Sequence, residues 1–317
     1  MARDLAAHAG ASPVCKLPAK ALRGGFALVV GLLLMAVDVM SSEAGAIADF
    51  HTYTVNTARG NDVYKIRAGH HAAVVQELKA YTAFSRPWVF STQESCHRHL
   101  AVTVWELVQV GVTGYWWDHG AATTYRNTGP NMNACSRWNE GPDPRTGHPE
   151  GHWGNYGNGI LTIGGFLRRE DHALQPRDPA EDERRNIICL RMQNYGFEHL
   201  ACSTHLTNKT KTRDQAIHAH AIRVWLEAAF NARPIVGGDF NLNHPQGGPI
   251  PDGIREHWYI SDNEAILPGR RETHQSGRMI DYQWVDRPQM LPRGTQSCIA
   301  MQSLSDHRLC IGNFRVF

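Results

Sequence analysis

The chain has 317 residues, of which 42% are hydrophobic and 20% charged, and its formal net charge is +2. That composition excludes a disordered polyelectrolyte and supplies enough apolar material for one large core. Residues 1–46 hold four basic and three acidic side chains, so the remainder carries about +1; no global field draws the protein to nucleic acid, and an anionic substrate has to be held by local charge.

The N-terminus reads as an export signal. Lys16, Lys20 and Arg23 precede an apolar run over residues 26–37, and Ala44-Gly45-Ala46 fits a small-x-small cleavage site. The run suits a signal core and is short for a membrane span, although an uncleaved anchor is the alternative. Either way residues 47–317 are expected outside the cytosol, secreted, as one domain without repeats or low-complexity linkers.

In chain order, residues 49–55 read as a first strand. Residues 68–80 carry apolar positions at helical spacing. Residues 88–92 form a short strand ending at Gln93-Glu94, and residues 103–111 alternate and read as another strand. The segment 115–158 is rich in Gly, Asn, Pro, Trp and His, the mark of a long surface excursion. Residues 160–167 resume strand character. Residues 186–192 and 198–204 read as a hairpin around Tyr195-Gly196. Residues 213–229 make the best amphipathic helix. Residues 234–238 are a short buried strand, and 279–285, 296–301 and 309–316 complete the set. Many strands with few, well-separated helices predict an α+β layered core of two sheets with helices outside.

Of the seven cysteines, Cys15 leaves with the signal and six remain. An even number in an oxidising compartment predicts three disulfides, and no Cys/His spacing suits zinc. A hairpin centred on Tyr195-Gly196 makes Cys189 and Cys202 directly opposed. Cys298 and Cys310 bracket a loop between consecutive strands. Cys96 and Cys135 are left to tie the long insert to the neighbouring strand.

Polar strings end several strands: Ser91-Thr92-Gln93-Glu94-Ser95, Ser203-Thr204-His205-Leu206, Gly237-Gly238-Asp239-Phe240-Asn241 and Ser305-Asp306-His307. Ile280-Asp281-Tyr282 sits within an apolar strand. Polar residues at one end of several core strands converge on one sheet edge, where a site can stand on rigid elements. In this order, from Asn56 onward, the strings resemble those of the endonuclease/exonuclease/phosphatase superfamily, over about residues 50–317. The resemblance implies a four-layered α/β sandwich of two packed mixed β-sheets flanked by helices, and a divalent-metal-dependent phosphodiesterase.

Carried over residue by residue, the resemblance makes Glu94 the principal metal ligand, with Asn56 and Asp306 close by. Mg²⁺ is the expected ion, with Mn²⁺ or Ca²⁺ as alternatives, since hard cations take oxygen ligands. Asp239 would hold the attacking water and Asn241 would donate to a phosphate oxygen. His307 would be the general base or a phosphate partner, His205 the second histidine, and Asp281 the carboxylate that orients one imidazole. Tyr156 and Asn158, in the stretch 156–161, and Arg185 would contact substrate. Asn158 stands where pancreatic deoxyribonuclease carries a glutamate.

Nucleic acid is the leading substrate class; a sphingomyelinase-like or phosphoinositide-phosphatase activity on phospholipid, or a binding subunit without catalysis, are the alternatives. Tyr115, Trp116, Trp117, Tyr125, Arg126, Trp138 and Trp153 in the insert suit base stacking, a lipid interface or plain packing.

Overall fold

The computed structural model describes residues 48–57, 76–80, 86–121, 123–124, 156–174, 183–194, 196–206, 221–222, 225–226, 233–241, 258–260, 272–286, 290–292, 297–301 and 305–316, all within residues 46–317. The export-signal reading, Cys135 and most of the 115–158 insert lie outside them.

The described strands form two sheets of seven. In the first, β1 (Ala48–Asn56) pairs in parallel with β2 (Val89–Cys96); β5 (Tyr156–Ile163) follows, then β3 (Tyr115–Ala121) at the edge. On the other side of β1 lies β14 (Arg308–Val316), flanked by β12 (Met290–Pro292) and β13 (Ser297–Ala300). The second sheet runs β10 (Trp258–Ile260), β11 (Asp281–Asp286), β9 (Arg233–Asp239), β8 (Phe197–His205), β7 (Glu183–Asn194), β4 (Thr123–Thr124), with β6 (Gly165–Leu174) also on β7. Only β1–β2 and β8–β9 are parallel pairs among the described strands, so both sheets are mixed.

Alternation along the strands builds the layers. In β1, Tyr53 and Val55 face outward with Phe90 and Leu161, where Leu100 and Leu107 of α1 (His97–Gln109) cover them. Phe50 faces the other sheet, packing with Trp88, Val89, Ala201, Ile235 and Phe314. On the outer face of the second sheet, Leu200, Cys202, Val236 and Trp284 pack against helical residues Ile222 and Leu226. Helix, sheet, sheet and helix stack in that order, the four-layered sandwich expected from the resemblance.

The layer between the sheets changes character along its length. Beyond the apolar contacts of Phe50, Val89 and Ile235 it turns polar. Ser91 Oγ donates to Cys202 O at 2.9 Å, and Gln93 Nε2 donates to Ser203 Oγ at 3.1 Å. Ser203 Oγ donates to Thr92 O at 3.1 Å, while Gln283 Nε2 donates to Cys310 O at 2.7 Å and its Oε1 accepts from Thr52. Every one of these groups is buried and hydrogen-bonded, as the great majority of buried polar atoms are. The seam leads to the end where β2, β8 and β9 finish.

Three sequence expectations change. Residues 103–109 belong to α1, and 110–111 are the turn that ends it. Trp105, Val108 and Val110 are exposed, whereas burial follows the helical spacing Leu100, Thr103, Leu107. Gly111 ends α1 at φ 79°, with its N–H on Val108 O and that of Val112 on Leu107 O; a left-handed residue is needed there and glycine takes it without penalty. The run 160–167 is broken at Gly164 (φ 120°), which turns the chain from β5 in the first sheet to β6 in the second. And residues 115–121, assigned to the surface excursion, are a strand: Tyr115 and Trp117 alternate onto α1 while Trp116 stays exposed.

Cys189 and Cys202 are register partners and form a disulfide with Cα atoms 4.1 Å apart; Cys298 and Cys310 do the same, also at 4.1 Å. Cys96 is disulfide-bonded too, to a partner outside the described residues. These bonds place the domain in an oxidising compartment. No helix among the described residues is long and apolar enough to cross a membrane.

Candidate active site

Asn56 ends β1, His205 ends β8 and Asp239 ends β9; Asp281 opens β11 opposite Asp239, and Asp306-His307 immediately precede β14. Parallel strands deliver their C-terminal ends, and antiparallel neighbours their N-terminal ends, to one edge of the sandwich.

Glu94 reaches that edge by a device. The β2–β5 register shifts between Thr92 and Ser95, and Glu94 sits in the bulge at φ 51°. A non-glycine residue in the left-handed region is strained and persists only where its surroundings over-determine it. Here Thr57 Oγ1 donates to Glu94 O at 2.9 Å, and the Thr57 N–H donates to Gln93 O at 2.9 Å. On the other side His119 Nε2 donates to Ser95 O at 3.0 Å. Burial pushes the His119 imidazole down to about 3, so it remains a neutral donor. Asn241 is the other non-glycine residue at positive φ among those described (52°), and its N–H donates to Asp239 Oδ1 at 2.8 Å, a local turn that asparagine tolerates well.

Asp239 is the hub. Its Oδ2 accepts from Asn56 Nδ2 at 3.0 Å and lies 3.3 Å from His205 Nε2 and 3.7 Å from His307 Nε2. Burial by itself would push this carboxyl up; the two imidazoles and the Asn56 amide outweigh it and hold Asp239 well below the usual carboxylate range. Asn56 Nδ2 also lies 3.3 Å from Glu94 Oε1, so one amide NH₂ group sits between two carboxylates. Asn241 Nδ2 is 3.2 Å from His205 Nε2 and donates to Leu206 O at 3.0 Å.

His307 Nδ1 lies 2.9 and 3.1 Å from the two oxygens of the fully buried Asp281. Burial lowers an imidazole pKa, but the Asp281 and Asp239 carboxylates outweigh it and His307 is pushed up to about 10. Nδ1–H therefore donates to Asp281, and the cationic ring directs Nε2 between Asp239 Oδ2 and Asp306 Oδ1, the latter 3.9 Å away.

The structure thus gathers Asn56, Glu94, Arg185, His205, Asp239, Asn241, Asp281, Asp306 and His307. Arg185, on β7, joins through His205: its Nη1 is 2.7 Å from Nδ1. Asn158 directs its amide nitrogen to Asn186 (Oδ1 2.7 Å, O 3.2 Å) and to none of these side chains, so it ties β5 to β7. The Tyr156 side chain lies outside the described residues. Sequence reasoning missed residues that hold the site: Thr57, His119 and the segment 272–278; it also gave no role of its own to Ser305, whose Oγ donates to Asn56 O at 2.7 Å. The Ser276-Gly277 dipeptide, a turn signal, is the trace of that segment in the sequence.

Glu94 and Asp306 are carboxylates with side chains 17% and 21% exposed, at the rim of an otherwise buried cluster, and carboxylate oxygens are the donors a hard divalent cation takes. Acidic and imidazole groups close enough for one ion occur among the described residues as His274, Asp306 and His307, and as Asp239, Asp281 and His307.

This arrangement of two mixed sheets is the fold of solved endonuclease/exonuclease/phosphatase proteins. Solved structures carry it closely: TDP2 of D. rerio complexed with a single-strand DNA product aligns with a TM-score of 0.59 at 15% identity, over 84% of this chain and 99% of that one. The human Nocturnin catalytic domain with bound sulfate gives 0.59 at 13% identity, over 86% and 97%. A mannosyl-6-phosphatase of Bacteroides thetaiotaomicron gives 0.55 at 16% identity, over 84% and 100%. The chain matches no protein-family model and no curated protein.

Proposed function

We propose that the protein is an exported, divalent-metal-dependent phosphodiesterase whose substrate is nucleic acid. The observation that carries this reading is the hub: a carboxylate held ionised within 3.7 Å of two histidines, with further carboxylates on either side. A phosphodiester needs its charge neutralised, a water aimed in line, and a stabilised leaving oxygen. Glu94 and Asp306, with Asn56 if its amide oxygen turns inward, would hold Mg²⁺ or Mn²⁺, which when bound neutralises phosphate charge. Asp239 accepts a hydrogen bond from the attacking water. Asn241 and His205 donate toward a phosphate oxygen, and cationic His307, oriented by Asp281, supplies positive charge there; Arg185 acts behind His205.

Nucleic acid is favoured as substrate because the TDP2 neighbour was solved with a DNA product, and because exposed Trp116 stacks with Phe166 (centroids 5.0 Å), a surface on which bases can lie. Export is supported by the disulfides and by the N-terminal sequence. The test is a panel of plasmid DNA, RNA, sphingomyelin and phosphoinositide, each with and without EDTA. Metal-dependent release of acid-soluble nucleotides is the expected result. Phosphocholine or inorganic phosphate release alone would move the assignment to lipid substrates, and inactivity on every substrate with metal present would reduce the protein to a binding subunit.

A further inference from the structure

His274 lies outside every motif used so far, on the segment 272–278 that clips the Ser305–His307 loop in place. Gln275 N donates to Asp306 O and Arg308 N to Thr273 O, each at 2.8 Å, and His274 forms a β-bridge with His307, their rings 4.7 Å apart edge to face. The side chain of His274 is fixed from behind. The Ser276 N–H donates to its Nδ1 at 3.0 Å, and Ser276 Oγ, which accepts from Arg278 Nε at 2.9 Å, lies 2.7 Å from the same nitrogen. A backbone N–H can only donate. Nδ1 is therefore an acceptor, and the ring proton is on Nε2, which points at Asp306 Oδ2 at 3.1 Å.

We propose that His274 is the positioning residue for Asp306: its Nε2–H occupies Oδ2 and so presents Oδ1 to the cation and to His307. The inference rests on the reading of Asp306 as a metal ligand. It also answers what the His274, Asp306, His307 grouping is for. A ligating imidazole needs its lone pair on the metal side and its N–H on the other, and Ser276 imposes the reverse. His274 thus serves the ion through a carboxylate and is not itself a ligand of a second ion.

The test is calorimetric titration of Mn²⁺ into the purified protein, its His274→Ala, His274→Gln and His274→Met variants, and Glu94→Gln, with the thermal midpoint of each. Groups hydrogen-bonded to metal ligands contribute about 10–100-fold in affinity. His274→Ala is expected to weaken Mn²⁺ binding by that factor at unchanged stoichiometry. His274→Gln keeps an N–H donor at the same reach and should recover most of it. Should His274→Ala not fold, Gln against Met carries the test, since the two match in length and only Gln donates. Equal affinity in Gln and Met overturns the proposal, as does undiminished binding in a folded Ala variant. Loss of one of two bound ions in His274→Ala overturns it in favour of direct ligation. Absence of Mn²⁺ binding by the unsubstituted protein overturns the metal reading itself, whereas binding that Glu94→Gln abolishes and His274→Met leaves intact overturns this inference alone.

Discussion

Arg185 Nη1 donates to His205 Nδ1 across 2.7 Å in the buried heart of the site. A guanidinium has no acceptor and does not lose its proton in proteins, so the contact settles the tautomer: the His205 proton is on Nε2, directed at Asp239 Oδ2. A donor, and not a carboxylate, thus holds His205 from behind. Replacing the donor frees the ring to flip its tautomer. Arg185→Met should lower kcat about 10-fold or more, and ¹⁵N correlation spectra should show His205 passing from a pure Nε2–H form to a mixture. An unchanged spectrum would show that something other than Arg185 fixes the ring.

Activity should vanish with EDTA and return with Mg²⁺ or Mn²⁺. Glu94→Gln removes a negative charge and keeps the shape, so kcat/KM should fall on the order of 10²-fold or more while circular dichroism stays the same. Full turnover by Glu94→Gln under saturating metal would take Glu94 out of the site.

His307 combines a buried carboxylate behind with two in front. His307→Ala should lower kcat by about 10³-fold, with a smaller change in KM, because the charge it supplies matters most when charge builds on the phosphate. Asp281→Ala should give a weaker version, by releasing the ring and lowering its pKa from about 10 toward the ordinary value. Steady-state kinetics across pH 6–9 separates the two. A His307→Ala enzyme with ordinary kinetics would leave the fold standing and remove this residue from the chemistry.

Acid should destabilise the protein through buried histidines, of which His199 lies in the apolar layer between the sheets. His199 is fully buried beside Trp88 and Phe197, and neither ring nitrogen has a hydrogen-bond partner among the described residues. Burial lowers its pKa from 6.5 to about 4. The folded-state value is depressed, so stability is complete above pH 6.5 and falls as the unfolded chain takes up the proton between pH 6.5 and 4. The loss amounts to about 3 kcal/mol by pH 4. His119 adds a similar loss extending to about pH 3. Urea midpoints from pH 7.5 to 4 should show the decline, and His199→Phe should flatten it; a slope unaffected by that change would assign the acid sensitivity elsewhere.

Much of this was readable in the chain, for physical reasons. Asp239 follows a short apolar run and Asp306-His307 precede another, and a polar residue at the end of a buried strand has few places to go but the sheet edge. Cys189 and Cys202 declared their register because hairpin pairing is arithmetic. The residues around α1 misled because local alternation cannot distinguish a strand from a helix that leaves Trp105, Val108 and Val110 exposed. His119, Thr57 and His274 carried no local signal at all. Each acts through a partner between 32 and 37 positions away, or 24 in the case of Ser95, and only the folded chain brings those partners together.

The seam between the sheets has a further consequence, for how such a chain can change over generations. At the far end the sheets meet through Phe50, Val89 and Ile235, and apolar shapes of equal volume interchange there at little cost. At the functional end Ser91, Gln93, Ser203 and Gln283 each hold a partner on the opposite sheet, and losing one strands the other without water. Drift is therefore free at one end and arrested at the other. A lineage can rewrite half of its interior while Glu94, His205 and Asp239 keep their spacing, so that sequence likeness fades well before the geometry of the site does.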